Sequence, residues 1–238
     1  MGFEDPSVLS DYVRAQSERT VPRKVGAERT VYLSQSEFGQ LLSFRMLPKI
    51  GDFGLAQVEW PEPLRYPIQP PAFQAPEVIF GTGWTYSADI WNLGVPIWNL
   101  LEGRDLFQNI VTDDVYDARR HLAAMVALLG PPPQALLERE ERWADVPWKC
   151  SFTNRWGRPS WTAREFFGGP FFNSQGEFLH RDLVPVGHDL ASTISSLHGD
   201  DKELFRDFIG HILQWLPEKR KTAKELLEHP WLDASPTK

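Results

Sequence analysis

Residues 87–102 set the terms for the rest of the chain. They carry Ile90, Trp91, Leu93, Val95, Ile97, Trp98, Leu100 and Leu101, so a helix here is apolar nearly all round. A helix with no polar face has to be covered on every side, and the pattern therefore predicts a central helix with other elements packed about it. Gly103 is placed to cap its C-terminus. Pro96 in its interior removes one hydrogen bond and predicts a kink. The charge-free part, Ile90 to Leu101, contains two Asn and is too short to cross a bilayer.

The flanking sequence supplies partners for such a helix. A second helix is expected over Val115–Leu129, with Leu122, Met125, Val126 and Leu129 on one face and a stop at Gly130-Pro131-Pro132-Pro133. Residues 131–200 read as irregular, with Trp143, Trp148, Trp156 and Trp161 expected as loop packing. Lys202 to Trp215 is amphipathic, turning Leu204, Phe205, Phe208, Ile209, Ile212 and Leu213 inward. Thr222-x-x-Glu225 is a capping box that opens a last helix, closed by His229-Pro230-Trp231. Towards the N-terminus a short helix is expected at Val8–Val13 and an exposed polar stretch over Gln16–Thr30. An edge strand is expected at Thr30–Leu33 and a further strand at Phe44–Ile50.

Between the last of these strands and the apolar helix lies a distinctive run. It begins Gly51-Asp52-Phe53-Gly54, passes Gln74-Ala75-Pro76-Glu77 and reaches Asp89-Ile90-Trp91-Asn92-Leu93-Gly94. Prolines at 61, 63, 67, 70, 71 and 76 exclude a helix and favour a stiff, extended path. Asp-Phe-Gly, Ala-Pro-Glu and Asp-x-Trp-x-x-Gly, in this order and spacing, resemble the C-terminal lobe of a eukaryotic protein kinase. The resemblance covers roughly residues 47–232. It implies a mainly α fold, a helical bundle with a small β-hairpin near the Asp-Phe-Gly loop and no N-lobe. Residues 1–46 would be a family-specific insertion and 233–238 a tail.

The resemblance also implies roles. Asp52 would ligate Mg²⁺, Phe53 would pack inward and aim it, and Gly54 would allow backbone angles closed to other residues; the three would border ATP. Glu77 would form a buried ion pair with Arg220, and Asp89 would hydrogen-bond the backbone of the catalytic loop. Gln74 stands where kinases commonly carry Arg, and Phe73 where Tyr is common. From Phe53 to Pro76 there is no Ser or Thr, and Tyr66 has the one hydroxyl side chain, so Ser/Thr phosphorylation cannot order this loop. His180-Arg181-Asp182-Leu183 spells the start of a kinase catalytic loop but lies downstream of Asp52 and lacks the following Lys and Asn, so it reads as a chance match.

Phosphoryl transfer also needs a Gly-rich loop, a β3 Lys, an αC Glu and a catalytic Asp with its Asn, none of which precedes Asp52 here. The general base is therefore expected upstream of Met1, in a longer kinase of which this chain is the C-lobe. No catalytic residue is assigned within the chain, which is expected to be inactive alone. Residues 64–70, 81–84 and 128–132 are most similar to the SR-protein kinase group. That likeness implies ATP-dependent phosphorylation of serine in basic, Arg/Ser-rich proteins, docked in an acidic groove to which Asp113, Asp114 and Asp117 would contribute. The same acids are what a helix N-terminus gathers through its dipole, and both readings stand. The alternative to catalysis is a pseudokinase-like module that captures basic peptides or a protein partner.

Composition narrows the partners. With 25 basic against 32 acidic residues the net charge is −7, which argues against nucleic acid and favours basic ligands. Cys150 is the lone cysteine, so no internal disulfide is possible. No signal peptide or membrane-spanning segment is legible, and Pro6 occupies the position where myristoylation after Gly2 would need Ser or Thr. The expected location is cytosol or nucleus.

Overall fold

The computed structural model describes residues 7–19, 21–33, 50–58 and 63–233. The chain divides into two compact units, 1–58 and 59–238. Asp52-Phe53-Gly54 falls in the first unit.

In that unit the described elements are helix α1 (Ser7–Glu18) and an antiparallel hairpin of β1 (Arg23–Val25) and β2 (Thr30–Tyr32), paired Arg23 to Tyr32 and Val25 to Thr30. The helix is longer than expected, and β1 falls in a stretch read as merely polar. β2 coincides with the edge strand expected at Thr30–Leu33, whereas β1, exposed throughout, carries no inward apolar alternation for the sequence to display. Of the strand expected at Phe44–Ile50, residues 44–49 lie outside the described set, and Ile50 is exposed with no assigned element.

The second unit is helical. Its helices are α2 (Pro76–Ile79), α3 (Ser87–Glu102), α4 (Ala118–Leu129), α5 (Gln134–Trp143), α6 (Ala163–Phe167), α7 (Leu190–Thr193), α8 (Gly199–Gly210), α9 (Ala223–Leu227) and α10 (Pro230–Asp233). Two short hairpins, β3 (Val111–Thr112) with β4 (Val115–Tyr116) and β5 (Phe152–Thr153) with β6 (Pro159–Ser160), interrupt them. One core joins Trp91 and Trp98 of α3, Leu122 and Met125 of α4, Leu136 of α5 and Phe205 and Ile209 of α8.

α3 spans the expected residues and ends on Gly103 in the left-handed region (φ 65°), and it continues through Pro96 to Glu102. It is not covered on every side. Ala88, Trp91, Gly94, Val95 and Trp98 are buried, whereas Leu93 is 47% and Leu100 84% exposed. The other expectations shift in instructive ways. The second helix begins at Ala118 because Asp113 and Asp114 both take positive φ, forming a hairpin turn, and Asp117 then caps α4 by accepting from the Arg119 N–H. The stretch read as irregular contains α5, α6 and α7. α5 escapes pattern reading because Leu136 and Leu137 are adjacent and residues 138–142 after them are all charged. The amphipathic helix ends at Gly210 instead of Trp215, and Ile212, Leu213 and Trp215 are buried from the turns that follow. The capping box is present in both halves: Glu225 N–H to Thr222 Oγ1, and Thr222 N–H to Glu225 Oε2.

Candidate functional site

The Asp-Phe-Gly turn is built locally. Asp52 takes left-handed angles (φ 60°, ψ 55°), then Phe53–Leu55 form one turn of 3₁₀ helix, closed by Ala56 N–H to Phe53 O. The Asp52 carboxylate is exposed and makes no capping bond. Two expectations are corrected here. The residue with special backbone angles is Asp52 itself; a Cβ on Gly54 would meet Asp52 Oδ1 at 3.9 Å, an ordinary contact. Phe53 is 68% exposed and does not pack inward. Asp is among the residues that tolerate this region, because its short polar side chain can satisfy the backbone locally.

In the second unit, Ala75-Pro76-Glu77 opens α2, and all of Ala75 to Phe80 is buried. Arg220 donates through both terminal nitrogens to the two Glu77 carboxylate oxygens at 2.6 Å each. It also donates to Ser87 O at 3.0 Å and Gln214 O at 3.1 Å, and its guanidinium lies 5.2 Å from the Trp91 ring. One side chain thus links α2, the start of α3 and the turns after α8. Asp89 sits in the first turn of α3 with its side chain exposed. Gly94 matters sterically: a Cβ there would lie 2.3 Å from Ile212 Cγ2.

The stretch before α2 is pinned by two side chains whose part the sequence did not reveal. Gln69 accepts from the Ala75 N–H and donates to Ala88 O. Trp84 donates its backbone N–H to Leu64 O and its indole N–H to Tyr66 O. Tyr66 packs edge-on to Trp84 and stacks on Phe152; burial, then the nearby Cys150, raises its pKa. Gln74 is 4% exposed and donates to Ile68 O.

The acids ahead of α4 divide. Asp113 and Asp114 are exposed at the hairpin tip. Asp117 is buried and engaged by Arg119 (2.6 and 2.9 Å) and Arg155 (3.1 Å). Burial works to raise its pKa, but the bonds from Arg119 and Arg155 outweigh that and hold it well below the usual carboxylate range. A cleft of about 270 Å³ beside it is lined by Asp113, Asp117, Arg119, Arg155 and Trp156 among others, so its charges nearly cancel. The His180–Leu183 tetrapeptide forms a 3₁₀ turn against α4, with Arg181 paired to Glu177.

Among the described residues one trio has metal-ligand spacing: Asp207, His211 and His229, with ligand atoms within 4.8 Å of one another. Its hydrogen bonds oppose that use. The Trp231 N–H donates to His229 Nδ1, so Nε2 carries the ring proton and donates to Asp207 Oδ2 at 3.0 Å. With no free lone pair at Nε2, the trio is a clasp between α8 and the chain entering α10. The Asp207 pKa is lowered accordingly, first by the bond from His229.

The family model described as protein kinase domain matches residues 40–232. The chain belongs to that family. A serine/threonine protein kinase of Aspergillus fumigatus is 31% identical over 238 residues, covering 97% of this chain and 52% of the relative. Dual specificity tyrosine-phosphorylation-regulated kinase 3 of Rattus norvegicus is 33% identical, covering 80% of this chain and 30% of the relative. Dual specificity protein kinase CLK2 of Mus musculus is 31% identical, covering 67% and 26%. A crystal structure of a kinase domain superposes with a TM-score of 0.50 at 22% identity, covering 89% of this chain and 52% of that one, a likeness of fold alone. The chain therefore spans about half the length of the Aspergillus relative and less of the animal ones. Among the described residues no helix is long and apolar enough to cross a membrane.

Proposed function

We propose that this chain is the C-lobe of a serine/threonine protein kinase that transfers the ATP γ-phosphoryl group to serine in basic, Arg/Ser-rich proteins. The observation that carries the reading is the Glu77–Arg220 pair, which fixes the Ala-Pro-Glu helix to both α3 and the C-terminal helices with no exposed side-chain surface. Protein kinases use Mg²⁺ and ATP, and the fit at this chain's own turn rests on Asp52. Its carboxylate is a hard oxygen donor, exposed and uncommitted to a cap. When bound, Mg²⁺ would neutralise charge on the phosphates. The general base and phosphate-binding cations are proposed to come from sequence outside these 238 residues, since positioning supplies most of this catalysis.

The test is phosphotransfer from labelled ATP to an Arg/Ser-rich peptide. The isolated chain should transfer nothing. A chimera carrying the N-terminal half of the Aspergillus relative ahead of residue 40 should transfer in a Mg²⁺-dependent way, and Asp52→Asn should abolish it. Equal activity in the folded Asp52→Asn chimera would sink the assignment of Asp52.

The exposed Asp113 and Asp114 favour a second reading, a module that captures basic peptides without catalysis. Asp117 lends it no charge, being already paired with two arginines.

A further inference from the structure

We propose that the cleft between the β3–β4 hairpin, the start of α4 and the β5–β6 turn binds an oxyanion, the phosphate or carboxylate of an acidic protein segment, on the Arg155 guanidinium. This site does not depend on the phosphotransfer reading, which leaves the cleft unused.

The site is built from the β5–β6 turn upward. Asn154 Oδ1 accepts the N–H groups of Trp156 and Arg158, each at 3.0 Å, and Asn154 Nδ2 donates to Ser160 Oγ at 2.9 Å, so one amide fixes the turn. Arg155 leaves that turn with its side chain only 16% exposed. Its Nη1 donates to Tyr116 O at 2.9 Å and lies 3.1 Å from Asp117 Oδ1, and its guanidinium sits 4.2 Å from the centre of the Trp156 ring. Its Nε is buried and has no hydrogen-bond partner among the described residues.

A buried donor of this kind costs free energy unless something accepts from it. The chain's own acids are committed elsewhere or turned to water. Asp117 is occupied by Arg119, accepting from its backbone N–H, Nε and Nη2 at 3.0, 2.9 and 2.6 Å. Asp182 also acts on Arg119. Asp113 and Asp114 are exposed at the hairpin tip, where salt screens them. Arg120 donates its Nε to the neutral Thr112 hydroxyl on the cleft wall, which adds a cation at the rim. The summed charge is close to zero, but the uncommitted donor is buried while the uncommitted acids face water.

An oxyanion suits what remains. Its oxygens accept strong, charge-assisted bonds from a guanidinium, and a cleft of about 270 Å³ has room for one such group. Trp156, 52% exposed, offers an apolar wall to the residues flanking that group in a protein segment. A Cβ on Gly168 would lie 2.8 Å from Trp156 Cη2, so glycine there leaves the indole its place.

NMR of the arginine Nε–H groups in the purified 238-residue chain tests this without any assay of activity. The probes are a phosphoserine peptide with alanine and leucine neighbours, the same peptide with glutamate or plain serine in its place, and inorganic phosphate. The phosphoserine and glutamate peptides should shift the Arg155 Nε–H signal, less so as salt rises, and the serine peptide should not. Arg155→Lys keeps the charge but loses the Nε donor, and should weaken phosphopeptide binding roughly tenfold while the Phe208 and Ile209 amides of α8 stay unmoved. Asp113→Asn removes an exposed acid and should tighten phosphopeptide binding by about twofold, the reverse of its effect if the cleft received basic peptides. An Arg155 signal unmoved by every anion would overturn the proposal. So would weaker phosphopeptide binding in Asp113→Asn, or an Arg-rich peptide bound more tightly than the phosphoserine one. Inorganic phosphate bound as tightly as the phosphopeptide would overturn the assignment to a protein segment. The chimera assay fails or succeeds independently of all these results, so loss of the anion site and loss of the kinase reading are separable.

Discussion

Arg220 and Glu77 meet through two parallel 2.6 Å hydrogen bonds, although 143 positions separate them, and neither side chain has exposed surface. Removing one partner strands the other charge without water. Arg220→Ala or Glu77→Gln should therefore cost roughly 3–5 kcal/mol, read as a shift in urea midpoint. The double variant Glu77→Leu/Arg220→Met should cost less than either single change, because no charge is left buried. Two single variants within about 1 kcal/mol of wild type would show that solvent reaches the pair.

Gly94 illustrates a motif position that is steric. Alanine is the better helix former by about 1 kcal/mol, so Gly94→Ala on an open helix would stabilise. Here the new Cβ would lie 2.3 Å from Ile212 Cγ2 and 3.2 Å from Leu213 Cδ2. Overpacking of this kind costs about 1–3 kcal/mol, so the variant should unfold at lower urea. Ile212→Ala in the same chain should restore part of the loss by opening the space.

What the sequence disclosed and what it withheld follow one physical division. α3, the Glu77–Arg220 partnership and the Thr222–Glu225 box involve residues whose chemistry demands a particular neighbour: an apolar stripe a core, a buried charge its opposite, an N-cap its donor. Gln69 and Trp84 escape such reading because an amide and an indole suit many settings, and nothing in the letter Gln announces a left-handed backbone. The exposed side of α3 departs from expectation for a related reason. Periodicity shows which side chains are apolar, while Leu93 and Leu100 are exposed because of what is packed against α3. β1 in the first unit has no inward face to betray it.

The hairpin tip sets stability against binding. Asp113 (φ 51°) and Asp114 (φ 60°) occupy turn positions suited to Gly, and their like charges add repulsion. Asp114→Gly relieves about 1–2 kcal/mol of left-handed strain and gives back about 0.4–1 kcal/mol as unfolded-chain entropy, so the chain should gain about 0.5–1 kcal/mol. If these acids dock basic peptides, the same change should weaken binding of an Arg-rich peptide, and the wild-type affinity should fall with added salt. A stabilised variant with undiminished, salt-insensitive binding would remove the tip from any docking surface.

His121 should make the fold acid-sensitive above the range where carboxylates titrate. It is fully buried on α4, with Nδ1 3.0 Å from the Tyr116 hydroxyl and Nε2 unpartnered, and burial lowers its pKa to about 3. The unfolded chain takes up a proton near pH 6.5, which the folded form refuses until about pH 3. Protons bound to the unfolded state exceed those on the folded state throughout that window, so stability falls as pH drops, by up to about 1.4 kcal/mol per unit. Glu102 acts lower down: burial pushes its pKa up, but hydrogen bonds from Ser195 and Ser196 overcome this and bring it to about 2, so its contribution disappears below about pH 4.5. Urea unfolding at pH 6.5, 5.8 and 5.0 therefore isolates the histidine once it is repeated in a Glu140→Gln background, because burial raises the Glu140 carboxyl towards this window. His121→Gln should be less stable at pH 7, since a shaped ring against Phe107 is lost, yet should show a flatter dependence over this range. An unchanged slope would mean that His121 gains its proton while still folded, which its unpartnered Nε2 and lack of exposed surface oppose.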